Sequence, residues 1–189
     1  MYPILHSQSD LQLALTHLLD HPSTQNGNGT TIPKWSPNNG IHLETATVTN
    51  NLHTARNAIT HRILGPSSAA TIILDYSAMI GGDQTGLALL RDPSAWISVV
   101  RDNGATRVVV ANNITMGALW NTIRTGSEVA TADISGGSIW LRVSADIRRR
   151  SNSQGHFSYG MDGSSFLPLG KGFVMKSDWT FYGVRICYL

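Results

Sequence analysis

Carboxylates are the side chains of this sequence whose chemistry is simplest to define, because a facing pair can act as acid and base or as nucleophile. The chain has twelve of them. They are Asp10, Asp20, Glu44, Asp75, Asp83, Asp92, Asp102, Glu128, Asp133, Asp146, Asp162 and Asp178. Most stand beside Gly, Pro, Asn or Ser, where capping of a turn accounts for a carboxylate. We therefore expect the chain not to catalyse a reaction on its own.

The other residues with reactive side chains follow no catalytic or metal-binding pattern. The seven histidines include no HExxH segment, and no GxSxG segment occurs. His17 and His21 are four residues apart, but Pro22 follows directly and weakens a helical reading. Cys187 is the single cysteine, so an intrachain disulfide or a cysteine-based metal site is excluded. The sequence predicts no bound metal and indicates no cofactor, and it leaves a structural calcium ion open.

Aromatic rings are the groups best suited to binding, because flat apolar faces such as those of sugars stack on them. The candidates are Trp35, Trp96, Trp120, Trp140, Trp179, Phe181 and Tyr182. Core packing is the alternative and the commoner fate of an aromatic residue in a sheet protein. We expect Trp140 and Trp179 to pack in the core, and we retain Trp96 as a candidate for contact with a sugar or another domain.

A second candidate group is polar and lies on or beside one predicted strand. It contains Arg56, Asn57 and Arg62. Arg56 and Arg62 are an even number of residues apart, so both would face the same side of a regular strand. One interpretation is an ion pair with Asp75 or Asp83 inside the protein, and the other is a patch that faces a sugar or another domain. The sequence does not decide between them.

Charge and hydropathy exclude several classes of partner. The net charge of +2 is too small to indicate nucleic acid or an anionic membrane. The cluster Arg148–Arg150 has no aromatic residues interleaved with it, so a solvated loop is the favoured interpretation. No stretch has the length and apolarity of a transmembrane helix, and the N-terminus lacks the features of a signal peptide. The localisation, secreted or cytoplasmic, stays open.

Short apolar segments separated by turn signals predict an all-β protein with antiparallel pairing. The predicted strands are Ile41–Val48, Ala58–Leu64, Thr71–Leu74, Leu87–Leu90, Trp96–Val100, Arg107–Ala111 and Ile139–Ala145. Asp102-Asn103-Gly104 and Asp162-Gly163 are typical hairpin turns. The segment His21–Asn39 reads as a surface loop, and Asp10–Thr16 fits a strand or a short helix. With 189 residues, the chain is expected to form one domain.

Four segments, in their order along the chain, carry a resemblance to a known family. They read ARNAITHR (55–62), LDYSAMIGGDQTGLA (74–88), IWLR (139–142) and FSYGMDGSSFLPLGKGFVMKSDWTFY (157–182). Together they resemble the C-terminal concanavalin A-like β-sandwich of family-43 glycoside hydrolases, the β-xylosidase and α-arabinofuranosidase group. The resemblance covers residues 41–189, with 1–40 as a divergent N-terminal strand and loop.

The resemblance implies an accessory, non-catalytic role beside a β-propeller catalytic domain, with xylose- or arabinose-containing oligosaccharides as ligands. In that family the sandwich lends an aromatic residue to the catalytic pocket. The matching position here is Phe181, with Tyr182 adjacent. We expect Phe181 to lie at a domain interface and to shape the pocket. The alternative is a free-standing, lectin-like carbohydrate-binding protein, and a decayed gene fragment is a third interpretation.

The sequence departs from the family pattern at both ends. The family commonly opens with a "WQWNHNP" phrase, whereas this chain offers HLLDHP over residues 17–22. Beyond Gly183 the family usually adds further strands, and we expect this jelly-roll to lack its last strand. A missing strand would expose a sheet edge and favour aggregation.

Overall fold

The fold consists almost wholly of β-strands. A computed structural model of the chain describes residues 34–36, 40–42, 48–55, 58–63, 66–119, 121–148, 153–175 and 185–188. The strands are β1 (Lys34–Ser36), β2 (Gly40–His42), β3 (Ile59–Arg62), β4 (Ser67–Asp75), β5 (Gln84–Leu90), β6 (Ser94–Asp102), β7 (Ala105–Met116), β8 (Thr122–Asp133), β9 (Ser138–Asp146), β10 (Gln154–Gly160), β11 (Leu167–Pro168), β12 (Phe173–Val174) and β13 (Arg185–Tyr188). One 3-10 turn, η1, spans Leu52–Thr54.

Two antiparallel sheets pack face to face. The larger sheet has the strand order β3-β13-β5-β6-β7-β8. The smaller sheet runs β11-β10-β9-β4, and β12 also pairs with β10. A separate hairpin joins β1 and β2. The prediction of an all-β antiparallel sandwich is confirmed, although Lys34–Ser36 forms a strand inside a segment that we expected to be a loop.

The core lies between the two sheets and follows from alternation along each strand. In β9 the side chains of Ile139, Leu141 and Val143 are fully buried, whereas the residues between them face outward. Leu87 and Ile97 of the larger sheet belong to the same cluster. Both faces of β6 are largely buried, because its inner face belongs to the core and the cluster that contains Leu52 of η1 lies on its outer face. The sandwich therefore has one continuous apolar layer.

The position of Trp140 corrects one expectation. It pairs with Ile73 of β4 and Gly160 of β10, and all three lie on the outer face of the smaller sheet. The residue is half-buried and does not belong to the core cluster. The prediction that Trp140 packs in the core is wrong, because the alternation that buries Leu141 turns its neighbour outward. Trp179, for which we predicted the same, lies outside the described residues.

The turns predicted from the sequence are present where the structure describes them. Asn103 and Gly104 have φ values of 48° and 85°, as a two-residue hairpin between β6 and β7 requires. Gly163 has a φ of 73° in the turn after β10. β13 lies between β3 and β5, so it is paired on both sides. The expected loss of a closing strand stays a prediction.

The turn after β10 is held by a single carboxylate, which gives a pH-dependent prediction. Asp162 Oδ1 accepts hydrogen bonds from the backbone N–H groups of Ser164 and Ser165, at 2.9 and 2.8 Å. These bonds lower the pKa of Asp162 to about 2. A carboxyl group whose pKa is depressed on folding stabilises the fold above its unfolded pKa of about 3.9. That contribution is lost as the pH falls towards about 2.

We therefore expect Asp162→Ala to lower the melting temperature by an amount that is constant above about pH 5 and shrinks below about pH 4. Thermal melts from pH 2 to pH 7 measure this difference. Asp162→Asn is the matched control, since its amide oxygen accepts the same bonds and does not titrate. A difference between the native chain and Asp162→Ala that stays constant down to pH 2 would contradict the assignment.

Candidate functional site on the outer face of the larger sheet

The outer face of the larger sheet carries a second apolar cluster. Its buried members are Leu52 of η1, Ala88 of β5 and Ile114 of β7. Leu90 and Trp96 pack against them, and Trp96 is half-buried. Trp96 faces outward because its neighbours Ala95 and Ile97 point into the core between the sheets. Trp96 thus lies on an apolar surface that η1 partly covers. The polar residues around η1 lie beside this surface.

The turn η1 is attached to the far edge of this sheet by a short polar network. Asn51 caps η1, and its Oδ1 accepts a hydrogen bond from the backbone N–H of His53 at 3.0 Å. The same oxygen accepts a bond from Thr122 Oγ1 of β8 at 3.2 Å. Asn51 was not among the residues selected from the sequence, although an Asn directly before a short helical turn is a recognisable cap.

A depression of about 460 Å³ lies between Asn51, the cap of η1, and the first half of β8. It is lined by Asn51, Asn113 and residues 122–127. The register between β7 and β8 shifts on either side of Asn113 and Gly126, whose φ values are 61° and 96°. Bulges of this kind turn side chains away from the regular ladder. The lining offers amides, hydroxyl groups and the Arg124 guanidinium, which are the groups that bind sugar hydroxyls.

His53 is the titratable residue nearest to this network. Burial lowers the pKa of its imidazole, and the negative charge of Asp92 opposes part of that shift. Its Nε2 atom is buried and has no hydrogen-bond partner among the described residues. Asp92 accepts a bond from the backbone N–H of Met116 at 3.1 Å. Burial therefore favours the neutral form of His53, and the charged groups beside this part of the site are Asp92 and Arg124.

The structure leaves most of the site residues predicted from the sequence untested. Phe181, Tyr182, Arg56 and Asn57 lie outside the described residues. The backbone of Arg62 belongs to β3 and pairs with Arg185, and its side chain also lies outside the description. The carboxylates proposed as partners of the arginines both cap turns. Asp75 Oδ1 accepts from the N–H of Ser77 at 2.9 Å, and Asp83 Oδ2 accepts from the N–H of Ile80 at 2.8 Å.

Neither a cluster of metal ligands nor a membrane-spanning helix occurs in the described part of the chain. No group of three or more His, Cys, Asp or Glu side chains is arranged there to hold a metal ion. The same residues contain no helix with the length and apolarity needed to cross a membrane.

Comparison with solved structures places the fold among family-43 (GH43) glycoside hydrolases. One similar structure is that of an engineered GH43 enzyme with both endo-xylanase and exo-arabinofuranosidase activity, at 34% identity and a TM-score of 0.72. A bifunctional GH43-CE protein of Bacteroides eggerthii matches at 23% identity and a TM-score of 0.67. A GH43 enzyme retrieved from capybara gut metagenome matches at 16% identity and a TM-score of 0.65. The last two show the fold alone.

The matches cover most of this chain and a small part of the other proteins. They span 77%, 77% and 82% of this chain, but only 29%, 18% and 29% of the respective solved chains. No significant match was found among curated proteins.

The family comparison agrees with the fold. The sequence profile described as "Beta xylosidase C-terminal Concanavalin A-like domain" matches residues 30–187. This range contains both sheets of the sandwich and the four segments that carry the resemblance. The chain therefore belongs to the family of β-xylosidase C-terminal concanavalin A-like domains.

Proposed function

We propose that this chain is the accessory module of a family-43-type glycoside hydrolase that acts on xylose- or arabinose-containing oligosaccharides. In this proposal it stabilises a β-propeller catalytic domain and completes the substrate pocket of that domain. The observation that carries the proposal is the family match over residues 30–187. The match to only 29% of the engineered xylanase and arabinofuranosidase also supports a module within a larger enzyme.

The bonding of the carboxylates supports a non-catalytic role. Retaining and inverting glycosidases need two carboxylates that face each other across the substrate. In the described part of the chain most carboxylates are already engaged in local structure. Asp75, Asp83, Asp92 and Asp162 accept backbone N–H bonds, Asp102 and Glu128 pair with Arg107, and Asp146 pairs with Arg148. These bonds anchor turns and strand ends rather than leaving a pair of acids beside a cavity.

Phe181 is the residue through which the module would act on the pocket, with Tyr182 beside it. We expect Phe181→Ala, in the polypeptide that contains the catalytic domain, to lower kcat/KM for aryl xylosides or arabinosides about tenfold. The reason is that loss of one aromatic wall removes about 1.4 kcal/mol of transition-state contact. Steady-state kinetics measure this effect.

The matched control is Phe181→Tyr, which keeps the ring and should retain most of the activity. A melting temperature unchanged from the native enzyme would separate a pocket effect from a folding effect. Unchanged kcat/KM in Phe181→Ala would refute the pocket-shaping role.

The size of the native polypeptide tests the accessory role itself. An antibody against this sandwich should detect a band several tens of kilodaltons above the 20.5 kDa of this chain. A band at 20.5 kDa would overturn the accessory role and favour a free-standing carbohydrate-binding protein.

A further inference from the structure

The outer face of the smaller sheet, opposite the core, carries an ordered set of side chains with a chemistry of its own. Pairing across the strands places Thr71, Arg142 and Ser158 in one row. The next row holds Ile73, Trp140 and Gly160. Trp140 and Arg142 are two residues apart on one strand, so their Cα atoms are about 7 Å apart on the same face. An aromatic ring and a guanidinium group thus lie side by side in the middle of the sheet.

Arg142 is fixed in place by two contacts. Its guanidinium carbon lies 3.5 Å from the centroid of the Phe166 ring, in a stacked cation–π arrangement. Its Nε donates a hydrogen bond to Thr71 Oγ1 at 2.8 Å. The Phe166 ring covers one face of the guanidinium group, and Thr71 accepts the bond from Nε. The two terminal amino groups of Arg142 therefore take part in neither contact. Within the described part of the chain, no carboxylate accepts a bond from them and they are not buried.

The apolar half of the surface is formed by Trp140 and Ile73. Ile73 is 44% exposed, which is unusual for a β-branched apolar residue in the middle of a strand pair. Trp140 is half-buried because the turn after β10 packs on its ring. A Cβ atom built on Gly163 would lie 2.6 Å from the indole. That turn brings Phe166 over Arg142 and holds both halves of the surface in one conformation.

We propose that this surface, defined by Ile73, Thr71, Trp140, Arg142 and Phe166, binds a hexuronic acid residue of an acidic polysaccharide. The planar fork of an arginine matches a carboxylate with two parallel hydrogen bonds. The C–H face of the sugar ring would lie on Trp140 and Ile73, and Ser158 is placed to bond a ring hydroxyl. A neutral sugar would leave the charge of Arg142 without a counterion, so charge complementarity selects the acidic one.

The proposal goes beyond the accessory function and does not depend on it. The surface lies on the smaller sheet, whereas Trp96 and the depression beside η1 lie on the larger one. It would hold the protein on an acidic glycan instead of taking part in bond cleavage.

The test is a titration of the 189-residue chain, labelled with ¹⁵N, with three small molecules. Methyl β-D-glucuronide carries both the ring and the carboxylate, methyl β-D-glucoside carries the ring alone, and acetate carries the carboxylate alone. We expect the glucuronide to bind with a millimolar Kd, at least tenfold tighter than the other two. It should shift the Trp140 indole N–H and Arg142 Nε–H signals. Equal binding of the glucoside or of acetate would overturn the proposal.

Variants separate the proposed role of Arg142 from a structural one. Arg142→Gln should weaken glucuronide binding at least tenfold, and Arg142→Lys should weaken it severalfold because the charge is kept and the fork is lost. Arg107→Gln is the matched control, since it removes an arginine of the larger sheet that already pairs with Asp102 and Glu128. If Arg142→Gln does not fold, glucuronide binding is measured with Arg142→Lys and Phe166→Leu instead. Native affinity in either variant that folds would overturn the assignment.

Discussion

Leu141→Ala is expected to lower the free energy of unfolding by about 3 kcal/mol, in the range measured for large-to-small changes in well-packed cores. Leu141 is fully buried at the centre of β9, the strand that pairs with both β4 and β10. Its side chain contacts the apolar layer contributed by the larger sheet. Deleting three carbon atoms there removes apolar burial and leaves a cavity, since strands on both sides prevent the backbone from closing over it.

Leu119→Ala is the matched control for this prediction. The chemical change is the same, but Leu119 is 88% exposed in the turn between β7 and β8, and its loss should cost less than about 0.5 kcal/mol. Urea denaturation followed by tryptophan fluorescence measures both variants. Equal stability changes at the two positions would mean that the two sheets do not form a packed core around β9.

The strands of the core were predictable because each carries an apolar pattern with flanking turn residues. β9 is the clearest example, since its alternating residues predicted the strand Ile139–Ala145, although Trp140 was wrongly expected in the core. The Asn103-Gly104 hairpin was equally predictable, because few residues other than Gly and Asn adopt positive φ at both positions. The family resemblance then extended this pattern to an antiparallel sandwich, which the comparisons confirm.

β8 escaped the sequence analysis for a physical reason. It is twelve residues long, most of its side chains are exposed, and among the described strands it pairs with β7 alone at the edge of the larger sheet. A strand whose side chains are mostly exposed does not require alternating apolar residues. The sequence of β8 therefore lacks the pattern that predicts a strand. The depression next to η1 was missed with it, because six consecutive residues of β8 line that depression.

The candidate sites were predictable only in part. Residue type drew attention to Trp96 and Trp140, but Trp140 lies on the face opposite Leu141 and not in the core as expected. The contact between Arg142 and Phe166 could not be foreseen, since it depends on how the turn after β10 folds back over the sheet. Periodicity defines the face on which a side chain lies, whereas its neighbours across the sheet depend on register and on turn geometry.

Gly86→Ala is expected to destabilise the sandwich by about 3 kcal/mol, because the new methyl group would meet backbone atoms that cannot rotate away. Gly86 lies in β5 opposite Ser98 of β6. A Cβ atom built there falls 2.1 Å from the carbonyl oxygen of Ile97 and 2.7 Å from the Cα atom of Ser98. Relief requires β5 and β6 to separate, and these strands are interior strands of the larger sheet.

Gly81→Ala is the control for this prediction, since a Cβ atom at Gly81 would meet nothing within 4 Å. It should leave the unfolding midpoint nearly unchanged, as expected for a surface substitution away from packed features. Urea titration of both variants measures the difference, and the far-UV circular dichroism of Gly86→Ala shows whether the sheet persists. A Gly86→Ala variant as stable as Gly81→Ala would mean that β5 and β6 do not approach each other as closely as this register requires. The pairing of the two central strands, and with it the outward position of Trp96, would then have to be revised.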